Sequence, residues 1–463
     1  MYLLKRINWL DGLYYIFGLM MLGSMGLFLS SSFSVSIKIG FILLLFLFLY
    51  FATNPLLTVL MLLFIRPVID MFATVRFGEN VNLLGLFSAL YIMFAILLFF
   101  RYRLSNSQRF EIAPSGIRFY YVVLFFSALS ILVSANAVES MMYLIRFTSL
   151  LAIYFLVYNL IQVEDDALKI VKSIVYSSFV PILMGFYQYI TGKGKFDVEF
   201  GTLRIWSTFM HPNMFAFYLV VVFFSVLFLY YLEKHIFGKS DVRFKIVLLM
   251  PVLSLLLLTY TRGAWIGIMV GILIVSVFIK STRKWILISA VVFFILFSPM
   301  IYSRMGDLLV ASHKGGYQHM SSWEFRIEQW HSLLKNAFVH KPWFGYGLGQ
   351  SIFVANKYAA FVLIPHNDYL RIMIELGLFG LIPFLLFWIH NVRNIFKRIS
   401  NKAYRELNTV VLALLIAMLI CSFADNLIYS ISVIGYLFAL LAVMHKMNFI
   451  ASANTPKDSV IAL

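Results

Sequence analysis

Three short polar segments interrupt an otherwise apolar chain, and each contains residues able to do chemistry. They read GTLRIWSTFMHPN at 201–213, TYTRGAW at 259–265 and IPHNDYLR at 364–371. Arg204 and Arg262 supply guanidinium groups, which form forked hydrogen bonds to phosphate oxygens. His366 supplies an imidazole whose neutral form at physiological pH is a usable general base. These three residues are the first candidates for a functional site.

Each segment also has a purely structural interpretation. Trp206 and Phe209 are typical anchors of an interfacial loop, and Pro212 suits the first turn of the next helix. An Arg at a helix end often snorkels to water, and a lone interfacial His is more often structural than catalytic. Arg262 departs from this pattern because it lies on a very short connection, beside Gly263, which permits close approach of the backbone.

The elements that carry these segments are predicted to be membrane-spanning helices. Of the 463 residues, 62% are hydrophobic and 12% are charged, whereas an average soluble domain has about a quarter charged residues. A bilayer solvates apolar side chains but requires every backbone polar group to be paired within the protein. The apolar runs are about 16–22 residues long, which suits helices rather than barrel strands. The predicted fold class is all-α, a polytopic membrane bundle of about 14 helices (about 12–14).

The chain is predicted to form a single transmembrane domain over 1–463. The first apolar run follows Lys5 and Arg6 without a small-residue cleavage site, which indicates a retained helix. The predicted spans are 13–30, 37–53, 55–71, 82–100, 117–133, 141–161, 169–190, 212–232, 245–260, 263–280, 284–302, 369–390, 407–424 and 427–446.

The basic residues predict the orientation, because Lys and Arg collect in cytoplasmic loops. With the N-terminus inside, the inner segments hold Lys5/Arg6, Arg101/Arg103/Arg109, Lys234/Lys239/Arg243, Lys280/Arg283/Lys284 and Arg393/Lys397/Arg398/Lys402/Arg405. Nearly all the short loops on the other side are poor in basic residues. The prediction is a multi-pass protein of the bacterial inner (cytoplasmic) membrane with both termini in the cytoplasm. The net charge of +17 is then explained without nucleic acid as a partner.

Two predicted outer segments depart from this charge rule. Residues 191–211 contain Lys193, Lys195 and Arg204. A large extracytoplasmic loop at 303–368 contains Arg304, Lys314, Arg326, Lys335, Lys341 and Lys357. These charges indicate an anionic ligand on the outer face. Within the loop, the apolar spacing at 321–338 predicts an amphipathic helix that lies at the membrane interface.

Four other residues within the spans are notable. Arg66 and Asp70 are four residues apart and are predicted to pair on one helix face. Arg146 has no obvious local partner, so it is a functional candidate by default. Glu375 is costly in a span unless it is paired, and it would orient the end of its helix. No intrachain disulfide is possible, because the chain has one cysteine.

Missing motifs narrow the function further. The sequence contains no GxxxxGK[ST], which argues against ATP-driven transport by this chain alone. It contains neither HExxH nor a Cys/His cluster with zinc spacing. The large loop has few of the carboxylates that a divalent ion facing a phosphate needs. We therefore expect no metal site and no cofactor, with Arg supplying the positive charge.

Several pieces of the chain, taken in order, resemble the O-antigen ligase/polymerase superfamily of bacterial membrane glycosyltransferases. They are R-x-x-STF-x-HPN at 204–213, T-x-TRGA at 259–264, FRIEQW at 325–330, KPWFGYGLG at 341–349 and PHNDYL…ELGLFG at 365–380. The ligase-like region covers roughly 200–385. The N-terminal half is similar only in hydropathy and in the IRP at 65–67.

The resemblance implies a reaction on the outer face of the membrane. A glycan on undecaprenyl pyrophosphate is attacked at its anomeric carbon by a hydroxyl of an acceptor sugar, and the lipid pyrophosphate leaves. Arg204 and Arg262 would stabilise the departing pyrophosphate, and His366 would deprotonate or position the acceptor hydroxyl. The candidate substrate-binding residues are Arg326, His211, Asn213 and Asn367. The implied partners are the lipid-linked oligosaccharide, an acceptor glycan, the lipid bilayer and a chain-length regulator.

Four readings of the function stay open. About fourteen spans favour a polymerase of O-antigen, capsular or teichuronic-type chains, since ligases of the superfamily usually have about twelve. A ligase would move the finished glycan to lipid A core or to a protein. A lipid-linked oligosaccharide flippase or secondary transporter would place charges near the bilayer midplane, often in repeated halves. A structural scaffold would not account for the outer positive charge.

Overall fold

The computed structural model describes residues 46–77, 81–104, 110–112, 116–197, 202–281, 283–284, 298, 302, 322–359, 364–400 and 404–453. Fourteen complete helices in these residues are α1 (Pro55–Ile69), α2 (Leu83–Leu104), α3 (Arg118–Leu129), α4 (Ala137–Leu160), α5 (Glu164–Tyr176), α6 (Phe179–Thr191), α7 (Pro212–Phe237), α8 (Val242–Leu258), α9 (Arg262–Phe278), α10 (Ser322–Asn336), α11 (Ser351–Tyr358), α12 (Asp368–Arg398), α13 (Arg405–Ala424) and α14 (Ile431–Ala453). Residues 46–53 are also helical.

The strands are few and short. Two antiparallel hairpins are present, β1 (Arg76–Phe77) with β2 (Val81–Asn82) and β3 (Lys195–Asp197) with β4 (Thr202–Arg204). Three single turns of 3₁₀ helix lie at Asp70–Phe72, Ser130–Val133 and Phe338–His340. The predicted helical membrane fold is confirmed, and the hairpins are the elements that the all-α prediction lacked.

Helices coincide with each predicted span from 55 to 280 and with each from 369 to 446, except that the span predicted at 169–190 is divided between α5 and α6. Eight stretches of the described residues are long and apolar enough to cross a membrane. The span predicted at 13–30, and most of those predicted at 37–53 and 284–302, lie outside the described residues. The total of about 14 spans therefore stays a prediction, as do the orientation and the location of both termini.

Helix α7 forms the centre of the bundle. Its most apolar window is 89% buried, and it packs against α5, α8, α13 and α14. The predicted Pro at its first turn is confirmed, because Pro212 occupies the N-terminal end, where its missing N–H leaves no orphan donor. Helix α13 also packs along α9 and α12. This packing fixes the relative positions of the helix ends that carry the candidate residues.

Helix α12 is interrupted where the sequence predicts one continuous span. Gly377 has φ 65° and ψ −164°, a conformation that only glycine adopts readily. The break frees backbone groups that the loop 342–347 then satisfies. Tyr346 N donates to Ile374 O (3.1 Å), Gly347 N donates to Glu375 O (2.9 Å), and Leu378 N donates to Pro342 O (2.8 Å). Broken helices are stable at membrane depth only when such partners are available.

The predicted amphipathic helix in the large loop is present as α10. Leu333 and Ala337 are buried with Leu370 and Ile374 of α12, while Trp323 is 43% exposed. The contact fixes α10 beside the first turns of α12. Its position at a membrane interface stays a prediction, and residues 303–321 and 360–363 of the loop lie outside the described residues.

The other charged residues of the spans have structural contacts. The predicted pair is confirmed, since Arg66 Nη1 lies 2.8 Å from Asp70 Oδ1. The Arg146 guanidinium lies over the ring of Tyr143, with 4.8 Å between its carbon and the ring centroid. Cys421 is buried and unpaired by disulfide.

Candidate functional site

The three polar segments of the sequence meet at one end of the bundle. They comprise β4 with the start of α7, the turn from α8 to α9, and the start of α12. A fourth segment, the turn that follows α13, lies among them. Hydrogen bonds connect all four.

His366 is the more exposed partner of an ion pair within this connected set. Its Nδ1 lies 2.9 Å from Asp425 Oδ1, and the two side chains are 32% and 5% exposed. Burial by itself raises the pKa of Asp425, but the hydrogen bond and charge of His366, with further hydrogen bonds, lower that pKa to about 2. An ionised carboxylate at this position accepts a hydrogen bond from Nδ1–H. In the neutral ring, Nε2 is then the nitrogen with a free lone pair.

Asn213 joins this pair to Arg204. Its Nδ2 donates to Asp425 Oδ2, and its Oδ1 accepts a hydrogen bond of 2.6 Å from Arg204 Nη2. Since a carboxylate only accepts and a guanidinium only donates, the two ends of the amide have a single consistent orientation. A polar chain therefore runs from His366 through Asp425 and Asn213 to Arg204.

Arg204 is held by the turn that precedes α9. Its Nε donates to Thr259 O (2.9 Å), and the Thr261 hydroxyl donates to Asn213 Oδ1 (3.2 Å). The backbone joins the same segments, since Ile205 N donates to Leu258 O (3.0 Å). The guanidinium is half-buried. Its position is thus fixed by the fold before any substrate arrives, which is the condition for electrostatic stabilisation of a transition state.

Arg262 begins α9 directly after Thr261 and is half-buried. The neighbouring Gly263 packs against the end of α13, where a Cβ atom on it would lie 3.0 Å from the Cβ of Ala424. Ala424 immediately precedes Asp425. The main chain at Arg262 therefore lies at the same end of the bundle as the chain of polar contacts from His366 to Arg204.

The residues predicted to bind substrate occupy defined positions around this chain. His211 caps α7, with Nδ1 accepting from Asn213 N (3.2 Å), and Asn367 caps α12, with Oδ1 accepting from Leu370 N (3.0 Å). Arg326 of α10 donates to Ala424 O (2.7 Å). Burial, and then the charges of Lys195 and Arg204, lower the pKa of His211 to about 4 although Asp425 opposes the shift. His211 is therefore neutral at physiological pH.

Backbone strain is concentrated in the same segments. Within the described residues, the non-glycine residues with positive φ are Ser207 (57°), Tyr260 (52°) and His366 (50°). Each such conformation costs roughly 1–3 kcal/mol and persists only where the surrounding structure enforces it. One of the three falls in each of the three polar segments. Such clustering is typical of functional sites.

Asp425 and Thr261 belong to the site but were not predicted from the sequence. Asp425 is an acidic residue at the end of an apolar run, and such a residue is a functional candidate that needs a partner. The sequence therefore contained a signal for Asp425. The partner of Asp425, His366, is 59 residues away in the chain. Thr261 gave no distinguishing signal, because a Thr before a helix is a common cap.

Comparison with known proteins finds a family match within the C-terminal half of the chain. Residues 246–385 match the family model described as O-antigen ligase. The chain is 26% identical over 336 residues to the teichuronic acid biosynthesis protein TuaE of Bacillus subtilis. It is 28% identical over 213 residues to the ComP-specific O-oligosaccharyltransferase of Acinetobacter baylyi, and 27% identical over 190 residues to a putative polysaccharide ligase of Rickettsia conorii.

The resemblance to the O-antigen ligase/polymerase superfamily is confirmed. The three alignments cover 65%, 43% and 37% of this chain, and 66%, 38% and 43% of the relatives respectively. Of the site residues, Arg262, Arg326, His366 and Asn367 lie inside the matched O-antigen ligase region, whereas Arg204, His211, Asn213 and Asp425 lie outside it. The structure joins the two groups through the contacts described above.

No metal site was predicted from the sequence, so the described residues were compared with the groups of side chains that metal ions need. In the part of the chain that the structure describes, no group of three or more His, Cys, Asp or Glu side chains could hold a metal ion. Independence from metal stays a prediction.

Proposed function

We propose that the protein transfers a glycan from a lipid pyrophosphate to a hydroxyl of an acceptor sugar, on the outer face of the bacterial inner membrane. The observation that carries this proposal is the chain of contacts from His366 through Asp425 and Asn213 to Arg204. It joins an imidazole and a guanidinium in one hydrogen-bonded unit, which supports the proposal. The superfamily supports glycan transfer as the reaction class.

His366 acts as the base in this proposal. The acceptor hydroxyl attacks the anomeric carbon of the donor while its proton moves to His366 Nε2. Asp425 accepts the Nδ1–H hydrogen bond, which fixes the tautomer and stabilises the imidazolium that forms. A positioned base of this kind contributes about a hundred- to ten-thousandfold in rate.

Arg204 and Arg262 act on the leaving group. The bond between the anomeric carbon and the pyrophosphate oxygen breaks, and its electron pair remains on the lipid pyrophosphate as new negative charge. Fixed guanidinium groups at that point stabilise the charge without reorganisation during the reaction. Arg326, His211 and Asn367 surround the reacting groups, where they position the substrates directly or through the helix starts that they contact.

The proposed product is a longer glycan of the O-antigen, capsular or teichuronic type, built from undecaprenyl-pyrophosphate-linked repeats. The relative with the longest alignment, TuaE, carries a name that refers to teichuronic acid biosynthesis. A ligase is the second candidate. It is favoured by the O-antigen ligase description of the matched family and by the name of the A. baylyi oligosaccharyltransferase.

The test is glycan length in cells that lack the gene, complemented at matched expression with wild type, Arg262→Ala, Arg262→Lys or His366→Ala. Wild type is expected to restore long polymer, and both Ala variants to leave single lipid-linked repeats. Arg262→Lys is expected to restore part of the polymer, because Lys keeps the charge and loses the forked geometry.

Each alternative gives a different pattern. Polymer that forms on the lipid carrier but never reaches its final acceptor supports the ligase. Repeats that accumulate only on the cytoplasmic side support a flippase and contradict the enzyme.

A further inference from the structure

The β3–β4 hairpin brings two cations together next to the site. Lys195 and Arg204 are direct partners in its antiparallel register. Directly opposite residues project to the same face of a hairpin, with Cβ atoms typically about 4.5–5.5 Å apart. Gly194 makes this closeness possible, because a Cβ atom there would lie 2.7 Å from Arg204 O.

A pairing of like charges at this distance is electrostatically unfavourable by itself. Like charges directly opposite each other destabilise a strand pair, and Arg204 cannot turn away without losing its bonds to Thr259 O and Asn213 Oδ1. The nearby carboxylate of Asp425 is buried and bonded to His366 and Asn213. Lys195, by contrast, is exposed. An anion between the two cations would relieve their repulsion.

The surroundings indicate an anion that carries an apolar chain. The end of α6, which leads into the hairpin, exposes Ile190 (80%) and Tyr189 (53%). A free inorganic anion would gain nothing from these side chains, whereas a lipid with a phosphate headgroup would contact both the cations and the apolar surface.

We propose that Lys195 binds the diphosphate of the lipid-linked donor together with Arg204 and thereby positions the donor for transfer. This inference rests on the proposed function and adds a donor-binding residue to it. Lys193 is excluded from the role, since its Nζ donates to Tyr187 Oη (3.0 Å) and lies 5.4 Å from the centroid of that ring. It is therefore a matched control, a second exposed lysine on the same segment.

The experiment uses the purified full-length protein in liposomes, with Lys195→Gln, Lys195→Arg and Lys193→Gln compared with wild type. The first measurement is the binding of inorganic pyrophosphate. It is detected as the rise in the unfolding temperature of the protein when pyrophosphate is added in the absence of turnover. Lys195→Gln is expected to weaken binding about tenfold, the loss of one charge-assisted contact. Lys195→Arg and Lys193→Gln are expected to bind as wild type does.

The second measurement is steady-state transfer. Lys195→Gln is expected to raise KM for the lipid-linked donor about tenfold, with a smaller change in kcat and an unchanged KM for the acceptor. Equal effects of Lys193→Gln and Lys195→Gln would overturn the inference in favour of a general surface-charge effect. Unchanged pyrophosphate binding, with altered dependence on anionic phospholipid in the liposomes, would assign Lys195 to phospholipid headgroups instead.

The two proposals fail separately. If wild type transfers no glycan but binds pyrophosphate in a Lys195-dependent way, the proposed function fails and the anion site stands. If wild type transfers glycan and Lys195→Gln matches it in both measurements, the proposed function stands and the Lys195 site fails.

Discussion

Two ionic pairs lie at the start of α12, only a few residues apart, and they are built differently. His366 and Asp425 form the first, with the His side chain 32% exposed. Arg371 and Glu375 form the second, with Arg371 Nε lying 2.9 Å from Glu375 Oε1 and side-chain exposures of 4% and 0%. The first pair is open on one side, and the second is closed on all sides.

The closed pair connects three parts of the fold. Glu375 Oε2 accepts hydrogen bonds from Gly349 N (2.8 Å) and from the Tyr429 hydroxyl. The Arg371 guanidinium carbon lies 4.0 Å from the centroid of the Tyr429 ring. Each polar atom named here is bonded within the protein, and both side chains are buried. Glu375 thus fixes the large loop to α12, a wider role than the predicted orientation of its own helix.

The difference indicates which of the two pairs is suited to chemistry. A pair that serves folding satisfies its charges inside the protein. A pair that serves catalysis leaves one group accessible to the substrate, and here that group also has a strained backbone, with φ 50° at His366. Exposure and strain, rather than the presence of a charge, distinguish the candidate site from its scaffold.

The largest expected effect concerns the open pair. His366→Ala removes the proposed base, so the rate of glycan transfer should fall about a hundred- to ten-thousandfold, and Asp425→Asn should also lower it because the tautomer is no longer fixed. The measurement is transfer by purified protein, with thermal unfolding in detergent as the check on folding. His331→Ala, a change at an exposed histidine of α10, is the control. A His366→Ala protein with near wild-type transfer would contradict the proposed role.

The closed pair should respond in stability instead. Glu375→Gln leaves the Arg371 charge buried without its partner, which typically costs about 3–5 kcal/mol. The unfolding temperature should therefore fall, while transfer per folded molecule at low temperature stays close to wild type. Arg371→Met combined with Glu375→Gln should recover part of the loss. Breaking the exposed pair Lys169–Asp165 by Lys169→Ala should cost less than about 1 kcal/mol.

A different result would remove the contrast between the pairs. If Glu375→Gln abolished transfer without changing the unfolding temperature, the Arg371–Glu375 pair would belong to the chemistry as well.

The sequence predicts the helices well because each apolar run is long enough to span a bilayer, and a soluble fold could not bury this much apolar surface. The helices from 55 to 280 and from 369 to 446 follow from this rule alone. It cannot find the break at Gly377, because the freed carbonyl groups are satisfied by residues 342–347, about thirty positions earlier. A glycine in an apolar run is compatible with a straight helix until that partner is known.

The site is partly predictable for a related reason. Arg204 and His366 stand out because charged and titratable groups are rare in an apolar chain. The contacts that make them a unit are not local, since Asn213 reaches Asp425 across 212 positions. Which residues cap helices, as His211 and Asn367 do, and which face substrate depends on this packing. Residue type at a given position does not decide it.

The smallest expected effect tests whether the open region also contributes to pH-dependent stability. The pKa of His211 is about 4 in the folded protein against an ordinary value of 6.5, so between these values the unfolded chain binds a proton that the folded protein does not. Stability should therefore fall as the pH falls from 6.5 towards 4. His211→Asn retains a helix-capping side chain and does not titrate. Between pH 6.5 and 4 its unfolding temperature should therefore fall by about 2 °C less than that of wild type. The measurement is thermal unfolding at several pH values in detergent, with His331→Ala as the control. If wild type, His211→Asn and His331→Ala all lose stability in parallel, the acid sensitivity originates outside the open pair's surroundings, and the two regions would have to be compared on transfer alone.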